Sequence, residues 1–80
     1  MKKKKYNPKS PFIIHTWFER DRSNIWVEDA NGESIAEWWD DDVQQMFDDG
    51  FFDPKDYGSV IEYLISDGVI KNKSYSYKVD

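Results

Sequence analysis

The chain has 80 residues, 39% hydrophobic and 34% charged, with a formal charge of −5. That length holds one small domain at most, with a core of modest size. No apolar run approaches the roughly 18 residues that cross a bilayer, and without cysteine there is no disulfide, thiolate nucleophile or thiolate metal ligand.

Residues 1–10, MKKKKYNPKS, are a charge run with a proline and no apolar period, which predicts a disordered basic arm. Lys2–Lys5 are not followed by an apolar segment, so the arm does not read as a secretory signal, and the cysteine-free chain fits the cytoplasm. PFIIHTWFE (11–19) and NIWVEDA (24–30) have the β-branched and aromatic content of strands, separated by the polar loop RDRS (20–23). Asn31-Gly32 predicts a type I′ hairpin turn, because both residues tolerate positive φ. ESIAEWW (33–39) is then a third strand, giving a three-stranded antiparallel meander over 11–39.

These turns imply a register. A two-residue turn at Asn31-Gly32 pairs Val27 with Ala36 and Ile25 with Trp38. A four-residue loop at 20–23 pairs Phe18 with Ile25 and Thr16 with Val27, and sets His15 across from Glu28. Side chains alternate between faces. One face collects Phe12, Ile14, Thr16, Phe18, Ile25, Val27, Ala36 and Trp38 and suits a core. Ile13, His15, Trp17, Trp26, Glu28, Ile35, Glu37 and Trp39 share the other.

Residues 41–49 suit a short helix, with Val43, Met46 and Phe47 at helical spacing and Phe51 continuing the phase. Asp40–Asp42 at its start would accept bonds from free N–H groups and complement the helix dipole, and Gly50 would stop it. A second helix begins at Asp53-Pro54 or at Ser59 and runs to residue 67 (54/59–67). Ser59 and Glu62 have capping-box spacing, and Val60, Ile61 and Leu64 form its buried stripe. SYSYKV (74–79) alternates, so 73–80 is a tail or an edge strand. The expected fold class is α+β: residues 11–72 form one domain in which two short helices cover one face of the meander.

No pattern in this sequence supports catalysis, metal binding or a cofactor. His15 is the single histidine, mid-strand beside Glu28, which reads as a surface pair. There is no G-x-S-x-G, no phosphate loop and no histidine pair. The aspartates of 40–53 lack the spacing and distal glutamate of a calcium loop.

Charge is segregated. Residues 19–67 carry fifteen carboxylates against Arg20, Arg22 and Lys55, a sum of −12, whereas residues 1–18 sum to +5 and 68–80 to +2. Nucleic-acid binding requires cations that neutralise phosphates, and residues 24–54 contain none, so the body is not expected to bind nucleic acid directly. In 40–49 no acid has a Lys or Arg three or four residues away. Asp48 and Asp49 fall at the negative pole of the helix dipole, at a cost of about 0.3–1 kcal/mol each. A local rule broken without structural gain points to function. If the helices cover one face only, Trp17, Trp26 and Trp39, flanked by Glu28 and Glu37, form an apolar patch on the other, of the kind that marks interaction sites.

Two functions compete on these residues. One is a small acidic binder, an inhibitor or nucleic-acid mimic of the kind that includes antirestriction and anti-CRISPR proteins and nuclease immunity proteins. Its carboxylates at Asp41, Asp42, Asp48 and Asp49, with the tryptophan face, would occupy a basic surface of a nuclease or other nucleic-acid-binding protein. The other is a non-enzymatic accessory domain that forms a homodimer through the tryptophan face, its acids serving solvation alone.

Overall fold

A computed structural model describes residues 8–20 and 22–79. The expected disordered arm therefore falls largely outside the described residues. Elements follow the order β1 (Phe12–Glu19), β2 (Arg22–Glu28), β3 (Ser34–Trp39), α1 (Asp41–Asp48), α2 (Tyr57–Ser66) and β4 (Tyr75–Val79). The sheet runs β3-β2-β1-β4, with β1–β3 an antiparallel meander and β4 parallel to β1 at the edge. The fold is α+β, and the C-terminal alternation is an edge strand.

The register of β2 against β3 is as expected, Ile25 opposite Trp38 and Val27 opposite Ala36. That of β1 against β2 is not: Thr16 faces Ile25 and Glu19 faces Arg22, because Arg22 and Ser23 extend β2 and shorten the connection. The shift is two residues, and since side chains alternate with period two, every residue keeps its face. His15 consequently lies opposite Trp26 rather than Glu28.

The β2–β3 loop also differs from a type I′ turn. Asn31 does not take positive φ; Gly32 alone does, at 85°. The Gly32 N–H donates to the Asp29 carbonyl at 3.0 Å and the Asp29 N–H to the Glu33 carbonyl at 2.9 Å, a turn over 29–32 closed by a left-handed glycine. The cause is Asp29, whose buried carboxylate accepts the N–H groups of Asn31 at 2.9 Å and Glu33 at 3.0 Å. These bonds, that from Glu33 first, hold its carboxyl below the ordinary value. The longer loop forces a bulge beside Val27 and Glu28, and Ile35 packs against the core rather than joining the tryptophan face.

Both helices lie on the face built from Phe12, Ile14, Ile25 and Val27. Val43 from α1, Val60, Ile61 and Leu64 from α2, and Phe52 and Ile70 from the connections complete the core. The helix α2 starts at Tyr57, capped by the Asp56 carboxylate on the Ser59 N–H at 3.3 Å. Asp53-Pro54 forms a turn ahead of it, and Ser59, already inside the helix, is not its cap. Phe18 keeps its face but does not join the core: near the end of β1 its ring is exposed and lines an open groove beside α1. None of the helices is long and apolar enough to cross a membrane among the described residues.

Candidate functional site

α1 presents its carboxylates on the side away from the core. Val43 is its buried residue, so Asp41, Gln44 and Asp48 fall on one exposed stripe and Asp42, Gln45 and Asp49 on the next. Residues seven apart on a helix are separated by about 10.5 Å along its axis, so two acidic rows run the length of α1. Asp41 and Asp42 occupy the first turn, where the helix dipole favours them. Asp40 does not cap the helix. Its carboxylate instead accepts the Ser23 N–H at 2.9 Å, and its own N–H donates to the Ser23 carbonyl at 2.8 Å. Arg22 lies 3.6 Å from the same carboxylate. This bridge ties the start of α1 to β2 and holds Asp40 at φ 44°, ψ −105°.

Asp48 and Asp49 have local partners that the sequence reading lacked. Gln44 Nε2 donates to Asp48 Oδ1 at 2.8 Å, and Gln45 Nε2 donates to Asp49 Oδ2 at 2.8 Å. Each bond spans one helical turn, the spacing at which side chains meet. The amides orient both carboxylates without neutralising them.

Phe47 and Phe51, expected in the core, are exposed on either side of this acidic pair. The left-handed Gly50, φ 79°, ends the helix, so the helical phase does not carry on to Phe51. Phe52 goes inward instead, its ring 4.9 Å from that of Trp38 and 5.8 Å from that of Tyr63. The signal for the exposure of Phe51 was Gly50 itself, which resets the phase of whatever follows; Phe47 lies within α1 and is exposed for want of a covering element.

Along one side of α1, from Asp40 to Phe47, an open groove of about 650 Å³ separates it from the β1–β2 hairpin. Phe18 and Phe47 line it, and so do Arg20, Arg22 and Lys55, the three cations of the acidic body.

The chain matches no known protein family, and no curated protein or solved structure is significantly similar to it.

The remaining candidates, Trp17, Trp26, Glu28, Glu37 and Trp39, share the sheet face that carries no helix. They do not form the open tryptophan patch expected of them. Trp17 and Trp26 are half-buried, and Trp39 alone is largely exposed, at 44%. Polar partners thread between the rings. His15 stacks on Trp26, centroids 4.7 Å apart and planes 1° from parallel, and its Nε2 lies 3.0 Å from Glu28 Oε1. Trp39 Nε1 donates to Glu37 Oε2 at 2.7 Å. Asn24, buried beside Trp17 and Trp39, donates to the Trp38 carbonyl at 2.9 Å. The acids of α1 and the tryptophans therefore lie on opposite sides of the sheet, and one flat partner surface does not reach both. Among the described residues no three His, Asp or Glu side chains gather as a metal site.

Proposed function

We propose that this chain is a non-catalytic acidic binding module of the cytoplasm, an inhibitor or nucleic-acid mimic that occupies the basic, nucleic-acid-binding surface of a partner protein. The carrying observation is the C-terminal end of α1. Asp48 and Asp49 are held by Gln44 and Gln45, remain uncompensated by any Lys or Arg within one helical turn, and sit between exposed Phe47 and Phe51. Fixed carboxylates steer a cationic groove into register, and desolvated aromatic anchors slow dissociation. Asp41 and Asp42 extend the charge along the helix. Binding by occupancy needs no reaction at the chain's own residues.

The test is a charge-reversal series against candidate nucleases and DNA-binding proteins. Lysine at Asp41, Asp42, Asp48 and Asp49 together is expected to slow association about 100-fold at low salt, the span between steered and unsteered encounter. Added salt should weaken the wild-type complex and leave the reversed variant's residual binding nearly unchanged. Affinity that ignores both charge and salt would exclude the reading.

A further inference from the structure

The two sheet edges, β3 and β4, differ in their protection. β3 is bulged against β2 and has α1 packed beside it. β4 has an unbroken register on β1, no proline, and Lys78 as its one charge. Such an edge is a template for another strand.

Its geometry says which strand fits. The Phe12 N–H donates to the Ser74 carbonyl at 2.8 Å. Bonding residues alternate along a parallel ladder, so Ser74, Ser76 and Lys78 turn their backbone groups towards β1, while Tyr75, Tyr77 and Val79 turn theirs to the open edge. The side chains of those same three residues lie level with Phe12, Ile14 and Thr16 on the helix-bearing face. Tyr77 is held there by the Tyr57 ring, 4.5 Å away, yet Tyr77 is 60% and Val79 68% exposed. Apolar side chains and unpaired backbone groups thus coincide on one edge.

We propose that β4 is a self-association edge, pairing antiparallel with β4 of a second copy about a two-fold axis through Tyr77. The segment Tyr75-Ser76-Tyr77-Lys78-Val79 has the same apolar–polar alternation read in either direction, the self-complementarity that a two-fold interface demands. Centred on Tyr77, all five residues pair. Tyr77 meets its counterpart, Tyr75 meets Val79, and Ser76 meets Lys78, with about six N–H···O bonds made by the outward-facing residues. Centring on Lys78 would oppose two lysines, a destabilising pair. Centring on Ser76 would leave Val79 without a mate inside the strand. The acids of α1 do not forbid the pairing. α1 packs over β2 and β3, so the two acidic helices would lie roughly 30 Å apart at about 4.8 Å per strand, several times the screening length of about 8 Å.

The edge buries little area, so the dimer is weak and concentration-dependent. Sedimentation of the full chain from about 10 µM to about 1 mM, a span typical of small interfaces, should show the weight-average mass rising toward twice the monomer's. Tyr77→Pro removes an N–H that β1 does not use and blocks the edge, while Tyr77→Lys sets two like charges on the axis. Both variants should remain monomeric across the range while keeping wild-type circular dichroism, and Trp39→Ala should dimerise normally. If Tyr77→Pro unfolds, Tyr77→Lys alone decides. A wild-type chain monomeric at every concentration overturns the proposal. So does a dimer that survives Tyr77→Lys, or one lost only in Trp39→Ala, which would place the interface on the tryptophan face.

Discussion

Phe51 and Phe52 are adjacent and chemically identical, yet 53% and 4% exposed respectively. Helical phase alone would bury Phe51, so paired substitutions separate the two placements. Phe52→Ala removes a ring packed edge-on against Trp38 and Tyr63, and truncating a buried Phe to Ala costs about 3–5 kcal/mol. A domain of 80 residues holds roughly 4–12 kcal/mol at about 0.05–0.15 per residue, so that variant sits near the unfolding limit and measures poorly. Phe52→Leu keeps most of the volume and forfeits the ring contacts, worth about 1–2 kcal/mol. At about 4–8 °C per kcal/mol for a domain of this size, its midpoint falls by roughly 5–15 °C. Phe51→Leu touches one ring, Tyr63 at 5.6 Å, from an exposed position, and should stay within about 0.5 kcal/mol of wild type. Urea unfolding followed by tryptophan emission reads both. Equal losses, or a larger one at Phe51, would mean that Phe51 is a core residue, and one of the two aromatic anchors proposed beside Asp48 and Asp49 would be gone.

Asp48→Asn and Asp49→Asn keep an oxygen to accept the glutamine amides but remove charge from the negative pole of α1. Thermal melts should therefore show each variant unchanged or stabilised by up to about 1 kcal/mol, while titration shows weaker binding to a basic partner, more so than for the pair Asp41→Asn and Asp42→Asn. Asp29 supplies a pH dependence. Its folded carboxyl lies below the ordinary value of 3.8, first through the Glu33 N–H bond, so its stabilisation is complete above the unfolded value and disappears as pH falls through the folded one. Asp29→Asn should melt below wild type at neutral pH, with the gap closing below about pH 4; a gap constant down to the acid limit would show that the carboxylate charge is not what the loop uses.

The faces of the sheet were readable because alternation survives an even register error. A loop wrong by two residues displaced every β1–β2 pair and moved no side chain to the other side. What could not be read was decided by side chains competing for backbone groups. Asp29 captured the N–H groups that a type I′ turn would have left to the strands. Asp56 took the cap expected of Ser59. Asp40 turned its carboxylate to β2 instead of to its own helix. Each is a choice between hydrogen-bond partners that the local sequence offers side by side, settled only once the chain has brought them near. The acid rows of α1 followed directly from its apolar phase. The separation of those rows from the tryptophans did not, because it depends on which sheet face the helices take.

That separation determines which part of the acidic surface a partner would meet. The cations of the body, Arg20, Arg22 and Lys55, gather on the groove that Asp41 also lines, and Arg22 is engaged with Asp40. Asp40 and Asp41 line the same groove, so with screening lengths near 8 Å these cations offset the field of the first turn of α1 most directly. Asp48 and Asp49 do not line the groove, their amide partners carry no charge, and the rings beside them face solvent. Two carboxylates with no Lys or Arg within a helical turn therefore stand where the dipole of α1 is least favourable to them. A surface shaped for solvation alone would have put lysine within a turn of these carboxylates, or moved them to the N-terminal end. Holding them with glutamine satisfies the hydrogen bonding and keeps the charge, an arrangement suited to an external cation.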